Sequence, residues 1–125
     1  MSSRPQFSPH SVITNGSMAG NLTSEVTIIQ KLSMISYDIT WTAGATPVGT
    51  ITVEVSNTYK QDTSGVVVNA GSWTTLTLSA TTTVSGNTGN GFIDIDVTAA
   101  YAVRLKYNST SGSGTLNVTI SGKVA

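Results

Sequence analysis

Five stretches of this sequence alternate apolar and polar side chains with a period of two, and that period limits what the chain can become. In residues 101–107, Tyr101, Val103, Leu105 and Tyr107 fall on one side, and Ala102, Arg104 and Lys106 on the other. In residues 115–121, Leu116, Val118 and Ile120 alternate with Thr115, Asn117, Thr119 and Ser121. A helix would repeat its apolar positions every three to four residues; a strand with one buried face repeats them every second residue. Residues 108–114 lie between the two runs, with two glycines and no apolar side chain. They read as the loop of an antiparallel hairpin.

The same pattern occurs earlier. Ile35, Tyr37, Ile39 and Trp41 share a side opposite Ser36, Asp38, Thr40 and Thr42. Ile51, Val53 and Val55 share a side opposite Thr52 and Glu54. The connector, residues 43–49, is turn-rich, and Pro47 lacks the N–H that a central strand needs. These runs read as a second hairpin. In residues 92–97, Ile93, Ile95 and Val97 point inward, and Phe92, Asp94 and Asp96 outward. Weaker strand signals lie at 25–29, 66–68, 73–79 and 83–84. Roughly seven to nine short strands at 8–12-residue spacing, with no helical pattern, predict an all-β chain. The expected fold is a single antiparallel β-sandwich, jelly-roll or immunoglobulin-like, over residues 22–125. Residues 1–21 are polar, hold Pro5 and Pro9, and scatter their apolar side chains, so they read as an extended N-terminal arm. Phe7, Val12 and Ile13, with Met18, are candidates to fill pockets on another subunit.

Composition narrows the function classes. Charged residues are 10% of the chain and formal net charge is zero, against roughly 25% charged in ordinary soluble domains. Such a surface offers no electrostatic footprint for nucleic acid. It also offers little self-repulsion to keep copies apart, which fits assembly with other chains and a homo-oligomer, and fits a soluble monomer with a hydroxyl-rich surface equally well. No apolar run is long enough to span a bilayer, so no membrane role is expected, and no secretory signal pattern is present. With no cysteine there is no disulfide and no thiol chemistry.

The residue types that carry catalysis are scarce. His10 is the one histidine and lies in the polar arm. No nucleophile elbow exists to pair with it, and a zinc site would need more His or Cys ligands than the chain has. Asp94 and Asp96 would share one face of a strand. They could bind calcium with carbonyls from residues 87–91, or act as an acid/base pair, but a polar outer strand face explains them more simply. The glycines of residues 86–91 match no phosphate-binding pattern. Among the aromatic residues, Trp41 on its alternating strand reads as core. Trp73, Tyr101 and above all Tyr59, in a polar excursion, are candidates to stack on a sugar. No catalytic, cofactor-binding or metal-binding residue is assigned, and the chain is expected not to be an enzyme.

Three stretches carry a resemblance: Pro47-Val-Gly-Thr-Ile-Thr-Val-Glu-Val-Ser-Asn57, Trp73-Thr-Thr-Leu76, and Tyr101-Ala-Val-Arg-Leu-Lys-Tyr107 running into Ser111-Gly-Ser-Gly-Thr-Leu-Asn-Val-Thr-Ile120. In this order they resemble small virion structural proteins of bacteriophages, over roughly residues 35 to 123. The pairing of the second and third also resembles discoidin-like sandwiches, which bind glycans or lipids. The phage resemblance implies a virion component on a β-sandwich: a capsid decoration protein, or a minor capsid, tail, spike or vertex subunit. Its implied partners are the major capsid protein or other virion proteins, and its implied location is the virion. It carries over no catalytic residue. Arg104, between Tyr101 and Tyr107, matches the motif and is expected to serve the fold or a subunit contact. The alternative is a carbohydrate-binding or host-adsorption module on the same scaffold.

Overall fold

The computed structural model describes residues 6–29, 32, 34–78, 82–96 and 100–123. The described residues form ten β-strands and no helix. Two strands dominate. β4 (Met34–Ser56) and β10 (Ala102–Lys123) pair antiparallel along their whole lengths, from Ala102 opposite Ser56 to Lys123 opposite Met34. The two expected hairpins are therefore not formed. The alternation marks the buried face of each run, but each run pairs with a run distant in sequence, and the expected loops are mid-strand segments facing each other. Period-two patterning reports which face is buried, not which strand lies alongside.

Straight, a 22-residue ribbon would be roughly 70 Å long, whereas a compact chain of this size has a radius of gyration of roughly 14 Å. The ribbon must bend, and the bend is visible in the backbone. Residues 43–48 of β4 and 110–114 of β10 carry register shifts after Ser109, Ser111 and Ser113. Ala43 (φ 52°), Thr46 (φ 51°) and Gly112 (φ 78°) occupy the left-handed region there. Gly112 is required twice over, because a Cβ at this position would collide with the Thr46 carbonyl. The bend is tied from outside by Asn87, whose backbone carbonyl accepts from Gly44 N–H (3.1 Å) and whose side-chain oxygen accepts from Thr46 N–H (2.8 Å).

On one side of the bend, β9 (Gly89–Asp96), β4, β10 and β1 (Gln6–Ser17) form a four-stranded layer. On the other, β4 is flanked by β7 (Thr74–Thr75) and β8 (Thr82–Val84), and β10 by β2 (Leu22–Thr23) and β3 (Thr27–Ile28). Tyr37, Ile39, Trp41, Leu116, Val118 and Ile120 from the first layer join Ile51, Val53, Val103, Leu105 and Tyr107 from the second in one buried cluster. Complete burial of one face of a sheet needs a second layer, and with no helix the sheet supplies it by folding over itself. The shift at the bend sets the faces: odd-numbered residues of β10 point inward before it and even-numbered residues after it. The fold is all-β and antiparallel, as expected. Its layers share their long central strands.

The residues expected as an arm do not stand apart from Gln6 onward. β1 lies along β10, with Phe7 opposite Gly122 and Ile13 opposite Val118. Val12, Ile13 and Met18 are buried in the chain's own core, which corrects their reading as contacts to another subunit. Scattered apolar residues look like an arm because β1 is bulged, so its inward positions lose strict alternation.

Candidate functional site

With Val12 and Ile13 spent on the core, surface chemistry must come from elsewhere. One cluster gathers on the outer side of the second layer. Arg104 lies directly across from Glu54 in the β4–β10 ladder, and its Nε donates to Glu54 Oε1 at 2.8 Å. The guanidinium sits over the Trp73 ring, 4.2 Å from its centroid. Trp73 leans on Tyr59 at 5.8 Å between ring centroids, tilted by 56°. The polar atoms are engaged as well: Trp73 Nε1 donates to the Ala70 carbonyl (2.8 Å), and the Tyr59 hydroxyl accepts from Gln61 Nε2 (2.8 Å). Tyr59 was expected as an exposed ring and is buried. The turn that seemed a polar excursion closes over it: the Ser56 hydroxyl accepts from Thr58 and Tyr59 N–H, and Thr58 Oγ1 accepts from Ser72 N–H. Arg104 serves the fold through an ion pair and a ring contact. A shallow pocket beside this cluster, about 280 Å³, is lined by Val55, Ser56, Asn57, Thr58, Ser72, Thr74 and Ala100. Asn57 Oδ1 on its rim accepts from Tyr101 N–H (2.9 Å).

Asp94 is exposed on β9, opposite Ser36, and the side chain of Asp96 lies outside the described residues. Among the described residues no three His, Asp or Glu side chains converge as metal ligands would. His10 is exposed on β1 opposite Ile120. The side chain of Phe7 also lies outside the described residues.

The exposed apolar residues stand out in a chain that buries most of its large side chains. β5 (Lys60–Gln61) and β6 (Val67–Asn69) form a small separate sheet. Asp62 organises its turn, accepting from Ser64 and Val66 N–H. Val66, Val67 and Val68 on this hairpin are 59%, 49% and 57% exposed, and Phe92 on β9 is 64% exposed. The alternating pattern offers 66–68 as a weak strand and Phe92 as outward-facing. It gives neither a role, because alternation treats an outward apolar residue as noise.

No family model matches the chain. No curated protein matches it by sequence. Among solved structures, the SPBc2 prophage-derived protein YomS is similar at 10% identity and a TM-score of 0.48, over 97% of this chain and 96% of that one. The K1 cleaved adhesin domain of Lys-gingipain from Porphyromonas gingivalis W83 is similar at 12% identity and a TM-score of 0.46, over 94% and 82%.

Proposed function

We propose that this chain is a non-enzymatic structural protein of a phage virion, a capsid decoration or minor capsid or vertex component that assembles through its β surfaces. The observation that carries the reading is the exposed Val66–Val68 hairpin, with Phe92, on a surface that carries little charge. Isolated apolar residues on a surface are ordinary, but three consecutive exposed valines on one hairpin expose area that a partner would shield. The phage resemblance of the three sequence motifs supplies the setting. The glycan-binding alternative loses its best platform, since Tyr59 is buried and one face of Trp73 is covered by Arg104. The test is quantitative mass spectrometry of purified particles carrying the wild-type chain or a Val66→Ser/Val67→Ser/Val68→Ser variant. Wild-type protein at a fixed copy number per capsid, with the variant depleted, is the expected result. Absence of the wild-type chain from particles would sink the reading.

A further inference from the structure

A sandwich of this kind has open sheet edges, and an open edge invites another strand unless it is blunted. In the second layer the flanking strands are only two or three residues each. In the first layer β1 contains Pro9, three register shifts and Asn15 at φ 50°. Short strands, proline and bulges are the usual devices against unwanted pairing. β9 has none of them. It runs eight residues, pairs β4 from Met34–Asp96 to Trp41–Gly89 without a shift, and among the described residues pairs no other strand. It has no lysine and no proline, and it carries Phe92, the most exposed large apolar side chain described.

We propose that the free edge of β9 pairs antiparallel with β9 of a second copy, about a two-fold axis at Phe92. This rests on the reading of the chain as an assembling β protein, and it specifies the surface. The outward residues of β9 are Asn90, Phe92 and Asp94, all exposed. With Phe92 opposite the partner's Phe92, Asn90 stands opposite the partner's Asp94, and Asp94 opposite the partner's Asn90. Each carboxylate then meets an amide that can donate to it, and the two rings form a cross-strand aromatic pair. On the other face Gly91 meets the partner's Ile93, so the bulky residue faces the one with no side chain. Centring the axis on Asp94 would instead set carboxylate against carboxylate. The strand is thus complementary to itself in the register centred on Phe92. The two first layers would join as one continuous sheet through an isologous interface.

The experiment is sedimentation equilibrium of the full chain across a concentration series, with three β9 variants and Val67→Ser on the other exposed patch. The wild type is expected to dimerise reversibly. Asn90→Asp puts two carboxylate pairs at the interface and should weaken the dimer by between about twofold and thirtyfold; Asn90→Lys puts a cation opposite each Asp94 and should tighten it over a similar range. Phe92→Ser should weaken it by about tenfold or more. The tightening by Asn90→Lys cannot come from misfolding, so the test survives a destabilised variant. A wild type that stays monomeric at every concentration overturns the proposal, as does a dimer that Val67→Ser dissolves while all three β9 variants leave it intact. Incorporation into particles is measured separately, so a failed dimer and a failed virion assignment are distinguishable.

Discussion

Tyr37 sits at the centre of the first layer with its ring fully buried, and among the described residues its hydroxyl oxygen has no hydrogen-bond partner. Leaving a buried hydroxyl unsatisfied costs about 1–3 kcal/mol. Tyr37→Phe removes the oxygen and keeps the ring, so packing against Ile120 and its neighbours is retained. The variant is expected to be more stable by about 1–3 kcal/mol at pH 7, and each 1 kcal/mol raises Tm by about 3–5 °C in a domain of this size. The pH dependence makes the test sharper. Burial disfavours the phenolate and raises the Tyr37 pKa above its ordinary value of 10. The unfolded chain releases this proton as pH passes about 10, while the folded chain keeps it. The folded state then binds more protons, and stability falls as pH rises, by about 1.4 kcal/mol per unit. The phenylalanine variant lacks that loss. Urea denaturation of both proteins at pH 7 and pH 11 should show the variant's advantage growing by about 1.4 kcal/mol. A variant less stable than wild type at pH 7 would show that the hydroxyl has a partner. An advantage that does not change with pH would refute the burial argument.

Three further outcomes follow from the geometry. Ser24→Ala removes the hydroxyl that accepts from buried Leu105 N–H at 2.9 Å between β2 and β3; a loss of about 1–3 kcal/mol is expected in chemical denaturation. Gly112→Ala forces a side chain into a left-handed position and onto the Thr46 carbonyl at the bend; thermal unfolding should report a loss of more than about 2 kcal/mol. Arg104→Ala removes both the Glu54 ion pair and the Trp73 contact. Because the pair is partly exposed, a loss of only about 1–2 kcal/mol is expected, with quenching of Trp73 fluorescence altered.

Much of the fold was legible because burial on one face writes itself into sequence. Ile35, Tyr37, Ile39, Trp41, Ile51, Val53, Val103, Leu105, Tyr107, Leu116, Val118 and Ile120 were all read as inward, and all are buried. The surface was less legible. Tyr59 looked exposed because its neighbours are polar, yet those hydroxyls fold the turn over its ring. Val12 and Ile13 looked free because the bulges of β1 break the period. Arg104 could be singled out by a motif, but its partners Glu54 and Trp73 lie about 50 and 30 residues away in sequence, and nothing local predicts them.

The sequence by itself determined the strand period, the identity of the inward face and the absence of helix, since each depends on neighbours two residues apart. It could not decide that residues 43–48 and 110–114 are the corner of one ribbon rather than two hairpin loops. A glycine- and serine-rich segment between two strands satisfies both arrangements locally. The choice lies in whether Leu116 finds Trp41 or Tyr107 across the ladder, and only the packed structure makes Leu116 pair with Trp41 and Tyr107 with Ile51. Edge exposure is likewise a tertiary property. β9 and β4 carry similar alternating sequences, but among the described residues β4 is flanked on both sides and β9 on one. The free backbone groups of an edge come from the strand's place in the sheet, which residue identity does not record.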